Sequence, residues 1–171
     1  MPKFYKDPDK YAFPLELSFL AERYRQLKDD LAKQDLFKDF TIADYFFNKT
    51  LIFAKTTLQP DEFNLFAKLF NIINDSLPKP DLFVYLYLNI DKLVCNIQKR
   101  GRNYEKDIKP EYLQNIQNGY LDYIKNNQHK MRILIIDTNN IDFVNDYNDY
   151  CKVINTIFEA DYEVGVSRVK L

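Results

Sequence analysis

The chain has 171 residues, 24 Lys plus Arg against 25 Asp plus Glu, and a formal net charge of −1. At 46% hydrophobic and 29% charged it has the composition of a folded domain, and it lacks the basic surplus of a protein whose main work is gripping nucleic-acid backbone. No apolar run reaches the length of a membrane span, Met1 to Pro14 is too polar for a signal peptide, and Cys95 and Cys151, without paired spacing, suit a reduced, cytoplasmic setting.

The rare residues narrow the chemistry further. The three glycines, Gly101, Gly119 and Gly165, are scattered. A phosphate-cradling loop needs clustered glycines so that backbone N–H groups can close around the anion, so these 171 residues contain no P-loop and no dinucleotide fingerprint. A single histidine, His129, makes a His-based metal site or a Ser-His-Asp triad improbable, and its Asn- and Lys-rich surroundings read as a surface loop.

In chain order, Asp7-Pro8 offers an N-cap and a favoured first helical residue. Apolar residues then recur at helical spacing to Leu31, with Pro14 either kinking this helix or marking its true start. Phe40 to Ala43 reads as a short strand with Asp44 at its C-terminal end, followed by a helix from Tyr45 to Thr57. Gln59-Pro60-Asp61-Glu62 opens another helix, which runs to about Asp75, before the break Leu77-Pro78-Lys79-Pro80. Asp81 to Leu88 is an almost unbroken apolar run that suits a strand covered on both faces. Helices are predicted over Ile90 to Lys99, Pro110 to Asn127 and Asp146 to Ala160. A second apolar strand, Arg132 to Ile136, ends at Asp137, and Asp161 to Leu171 reads as a short extended tail.

Apolar strands alternating with helices indicate an α/β fold with a parallel core, in one domain over residues 1–171. Three strands, around Phe40, Val84 and Leu134, are few for a doubly covered sheet, because exposed edges would lie beside apolar faces. Part of the sheet is expected to be missing from this stretch of chain.

Three groups of residues are able to carry chemistry. Arg100 and Arg102 flank Gly101 at a helix end, with Glu105 three residues on; they either grip phosphate oxygens or simply complement the helix dipole, with Gly101 as the cap. Glu16 is polar among Phe13, Leu15, Leu17, Phe19 and Leu20; it either accepts hydrogen bonds from a ligand or lies on an exposed face, paired with Arg23 or a lysine. Asp44 and Asp137 follow predicted strands, the edge where open α/β sheets bind ligands. Asp44 either holds Mg²⁺ or caps the next helix, whereas Asp137 before Thr138-Asn139-Asn140 looks like turn chemistry. Cys95 is expected to be a core thiol.

Four stretches carry a family resemblance, in the right order over nearly the whole chain. They are Phe13-Pro14-Leu15-Glu16-Leu17-Ser18-Phe19-Leu20; Ile42-Ala43-Asp44-Tyr45 with Leu51-Ile52-Phe53-Ala54; Pro80-Asp81-Leu82-Phe83-Val84-Tyr85-Leu86; and Ile97 to Glu105, continuing through Tyr112-Leu113. Together they resemble the deoxynucleoside kinase family of P-loop phosphotransferases, most closely its bacterial branch, which includes fusions to a pteridine pyrophosphokinase.

The resemblance implies a three-layer parallel sheet of P-loop nucleoside kinase type, with the family's first two strands, P-loop and first helix lacking a counterpart in these residues. It implies transfer of the γ-phosphoryl of ATP to the 5′-hydroxyl of a deoxynucleoside in the complete enzyme, with ATP and Mg²⁺ as cofactors and a homodimer as the assembly. Arg100 and Arg102 match lid arginines that grip the donor phosphates. Glu105 matches a lid carboxylate that closes on the deoxyribose hydroxyls. Glu16 falls where the family usually has a base-reading Gln, and an acceptor-only Glu suits guanine's two donors. Asp44 approximately matches the acid near the metal. The sequence departs from the family at Tyr45 and Phe46, which stand where an Arg and a Ser follow that acid, and at Asn96, which replaces a lid-helix arginine. With no P-loop in view, the alternative is a non-catalytic nucleotide-binding or dimerisation module derived from the family.

Overall fold

The structure is a computed structural model that describes residues 8–31, 39–44, 46–105 and 108–171. It comprises two compact units, Met1–Pro78 and Lys79–Leu171. Asp7, the expected cap of the first helix, lies outside the described residues.

The first unit is helical. Helix α1 (Pro8–Leu31) runs through Pro14, α2 covers Asn48–Thr57 and α3 covers Pro60–Asn74. The start of α3 follows its sequence signals. Pro60 occupies the first turn, Asp61 and Glu62 meet the helix dipole, and Glu62 reaches back to accept from the backbone N–H of Gln59 at 3.3 Å. The helices pack on one another around Ala12, Leu20, Phe47, Ala54, Leu58, Phe66, Phe70 and Leu77, with the Phe47 and Phe70 rings stacked at 4.9 Å. Ala12, Glu16 and Leu20, spaced four apart, form the buried seam of α1.

The second unit is a three-layer α/β arrangement. Strand β1 (Leu82–Tyr87), helix α4 (Ile90–Arg100), helix α5 (Pro110–Asn127), strand β2 (Arg132–Asp137), helix α6 (Tyr147–Phe158) and strand β3 (Gly165–Lys170) follow in order. The sheet is parallel throughout in the order β1-β2-β3, with Val84 opposite Leu134 and Leu134 opposite Ser167. Alternation places Phe83 and Tyr85 against Tyr123 and Tyr120 of α5, while Leu82, Val84, Leu134 and Ile136 pack with Val153 and Ile157 of α6. Four consecutive residues of β2, Ile133 to Ile136, are buried, which is why this strand reads as a continuous apolar run.

The α/β class, the parallel core and the strands around Val84 and Leu134 agree with the sequence reading; the strand around Phe40 does not. Residues 39–43 form no strand, and Phe40 and Ile42 are 62% and 70% exposed. A strand is maintained by hydrogen bonds to a neighbour, and no described strand pairs with this segment. The third strand is β3, in the segment that reads as an extended tail. Its alternation (Val166, Arg168, Lys170) carries polar residues, so its apolar signal is weak, and pairing with β2 defines it. Cys95 is exposed rather than a core thiol, and both Cys95 and Cys151 are free. Among the described residues, no helix is long and apolar enough to cross a membrane.

Leu134→Ala is expected to lower the unfolding free energy by about 2–5 kcal/mol, because it leaves a void at the centre of the sheet. Ile42→Thr should change it by less than about 0.5 kcal/mol, since the side chain is already in water. Urea denaturation of the two variants checks both; equal losses would contradict this assignment of core and surface.

Candidate functional site

The basic cluster is built by the end of one helix and the turn that follows it. Helix α4 stops at Gly101, whose φ of 70° is the left-handed conformation that a glycine adopts without strain, and whose N–H donates to the carbonyl of Ile97 at 3.2 Å. A short 3₁₀ turn, Asn103–Glu105, then folds the chain back, with the Glu105 N–H donating to the Arg102 carbonyl at 3.0 Å. The reversal places one carboxylate between two guanidinium groups. Arg100 donates to Glu105 Oε2 from Nε at 3.0 Å and from Nη2 at 2.6 Å, and Arg102 Nη1 donates to Oε1 at 3.4 Å. Glu105 is buried while both arginine side chains remain about half exposed. The carboxylate therefore aligns the arginines from behind and leaves guanidinium donors facing water, a disposition suited to an incoming polyanion.

The loops at the carboxyl ends of β1 and β2 are tied together beside the start of α4. The Asn89 side chain accepts from the Lys92 N–H at 2.8 Å and caps the helix. The Asn89 N–H donates to Asn139 Oδ1 at 3.0 Å, and Lys92 Nζ donates to the Asn139 carbonyl at 2.6 Å. Asp137 accepts from the backbone N–H of Asn139 at 2.9 Å and from its side-chain amide at 2.7 Å. The backbone bond, aided by the side-chain amide and Lys170, holds the Asp137 carboxyl below its ordinary range. This is the turn chemistry expected of Asp137. The sequence shows Asn139 only as part of this turn and gives no sign of Lys92, because their bond joins residues 47 apart and no local spacing reports it.

In the first unit, Glu16 is 6% exposed, which removes the exposed-face reading. Its partner is Thr57, which lies 3.0 Å from Oε1, rather than Arg23, which donates to Gln26. Burial pushes the Glu16 carboxyl above its ordinary range, against a smaller lowering by the Thr57 hydrogen bond. Asp44 is exposed and follows no strand. Of the residues singled out from sequence, the structure brings Arg100, Arg102 and Glu105 together, and it places Glu16 and Asp44 in the other unit. Among the described residues there is no group of three or more His, Cys, Asp or Glu side chains able to hold a metal ion.

Comparison with known proteins places the chain in a family. The deoxynucleoside kinase family profile matches residues 1–160. The chain belongs to the deoxynucleoside kinase family. Deoxyguanosine kinase of Bacillus subtilis (strain 168) is 33% identical over 156 residues, a match covering 90% of this chain and 75% of the relative. Deoxyguanosine kinase of Lactobacillus johnsonii is 32% identical over 175 residues, covering 96% and 77%. This deoxynucleoside kinase-like chain thus spans about three quarters of the length of those relatives. Its fold is shared with deoxyadenosine kinase from M. mycoides, solved with the products dCMP and a flexible dCDP, at a TM-score of 0.76 and 22% identity, covering 93% of this chain and 80% of that one.

The raised Glu16 carboxyl has a consequence for stability. A folded-state value above the unfolded value of about 4.5 means that the contribution of this site is complete below 4.5 and is lost as pH rises through the folded-state value. Glu16→Gln removes the titration. Its melting temperature relative to the parent should rise between pH 4 and pH 8; a difference that is flat or falls with pH would contradict the burial of this carboxyl.

Proposed function

We propose that residues 1–171 form a single domain that binds a purine deoxynucleoside and the phosphates of ATP, for transfer of the γ-phosphoryl to the 5′-hydroxyl. The observation that carries this reading is the Arg100–Glu105–Arg102 cluster: two half-exposed guanidinium groups aligned by one buried carboxylate. Phosphoryl transfer leaves little covalent work to the protein, so positioning and charge stabilisation dominate, and arginines suit both tasks. In this reading Arg100 and Arg102 bind donor phosphates. Glu105 holds the two arginines, and it turns to the sugar hydroxyls when an anion takes over the guanidinium groups.

Glu16 reads the base. The similarity to two deoxyguanosine kinases supports guanine, whose ring N–H and exocyclic amine offer two donors to an acceptor. Asp44 offers one exposed hard carboxylate, which fits Mg²⁺ as a single ligand beside phosphate oxygens and water, not as a cage. When bound there, Mg²⁺ would neutralise phosphate charge. We further propose a homodimer acting in the cytoplasm. Leu65, Leu69 and Ile72, spaced along α3, are exposed apolar residues that support a partner on that helix. A bare dimerisation module gains nothing from an arginine pair aligned on a buried carboxylate, and this favours the nucleotide-binding reading.

Isothermal titration of the 171-residue chain with MgATP tests the cluster. Arg100→Lys and Arg102→Lys keep the charge and lose the planar fork, so each should weaken binding by about tenfold, roughly 1.4 kcal/mol. Unchanged affinity in both variants would remove the cluster from phosphate binding.

A further inference from the structure

Thr57 closes α2, and nothing in its sequence context marks it. Its hydroxyl oxygen lies 3.0 Å from Glu16 Oε1 and 3.1 Å from the carbonyl oxygen of Phe53, one turn back. A hydroxyl carries one hydrogen, so Thr57 donates to one of these oxygens at a time. When Glu16 is ionised, the hydrogen goes to Oε1. When Glu16 is protonated on Oε1, its carboxyl donates to Thr57 Oγ1, and Thr57 turns its own hydrogen to the Phe53 carbonyl. Both arrangements satisfy the hydroxyl, and both commit Oε1 to Thr57. In these two arrangements Oε2 is an acceptor, as a charged oxygen in one and a carbonyl oxygen in the other.

We infer that Thr57 is a positioning residue for base selection, holding Glu16 Oε1 so that Oε2 is presented as an acceptor to a donor-bearing base edge such as that of guanine. The inference rests on the reading that Glu16 meets the base. An untethered buried carboxyl is free to carry its proton on either oxygen, and so to offer a donor beside an acceptor, which is what an adenine edge takes. Thr57 disfavours that option: with the proton on Oε2 the Thr57 hydrogen goes to Oε1 and its bond to the Phe53 carbonyl is given up, leaving one hydrogen bond where the Oε1-protonated acid has two. Among the described residues Thr57 is the hydrogen-bond partner of Glu16, so no second group sets which oxygen is committed. Selectivity here depends on a hydroxyl that need not touch the ligand.

The test is isothermal titration of the full chain with deoxyguanosine and with deoxyadenosine, for the parent, Thr57→Val, Thr57→Ser and Glu16→Gln. The parent should prefer deoxyguanosine. Thr57→Val, which keeps the shape and loses the hydroxyl, should reduce that preference by about tenfold, and Thr57→Ser, which keeps the hydroxyl, should retain it. If Thr57→Val melts below the assay temperature, Thr57→Ala supplies the same comparison. A preference that Glu16→Gln abolishes and Thr57→Val leaves intact overturns the role of Thr57 alone. A parent that binds neither nucleoside, shows no preference, or keeps its preference in Glu16→Gln overturns the base-reading role of Glu16 and the inference with it.

Discussion

A carboxylate taken almost out of water costs several kcal/mol unless cations and donors meet it. Glu105 is in that position, and the end of α4 with the turn that follows it is organised around meeting it. The left-handed turn at Gly101 and the 3₁₀ turn after it bring the acid back onto the two arginines that precede it. Each guanidinium is thereby held by one edge and open at another. The cluster carries two positive charges against one negative, so the exposed side keeps an excess of positive charge where an anion would approach. A lysine pair in the same positions would have no planar edge to divide between an internal partner and a ligand.

Glu16 and Glu105 show two ways of burying an acid. Glu105 is met by two guanidinium groups that are themselves hydrated. Glu16 sits in an apolar seam between Ala12 and Leu20, met by one neutral hydroxyl, and its proton affinity rises accordingly. The first arrangement presents charge to solvent, and the second presents a polar atom of defined hydrogen-bonding character in a mostly apolar setting. The proposed phosphate-binding and base-reading roles ask for these two different things.

The parts of this fold that were legible in the sequence are those with strong local signals. Pro60 with Asp61 and Glu62 and the Gly101 stop fix helix ends through bonds within a few residues. Strands β1 and β2 announce themselves by apolar runs. The segment from Phe40 to Ala43 has the same local signal, but strand identity depends on a neighbour, and residue types do not report one. Strand β3 fails in the opposite way: Arg168 and Lys170 weaken its pattern, and its pairing with β2 makes it a strand. In the site, Arg100, Arg102 and Glu105 lie within six positions of sequence, so their meeting was readable. Thr57 is 41 residues from Glu16, and only folding brings them together.

The parallel sheet also sets an order of assembly. Strand β2 pairs with β1, which precedes it by 50 residues, and with β3, which lies 33 residues later. Parallel partners cannot be joined by a hairpin, so each pairing closes a long loop before any ladder bond forms. Until β3 docks, β2 shows one unpaired edge with Ile133 to Ile136 along it, a short apolar segment without charge or proline. Such an edge is a template for pairing between chains. Refolding yield should therefore depend on protein concentration more steeply than the modest size of the chain would suggest, with the interval between completion of β2 and arrival of β3 as the vulnerable one.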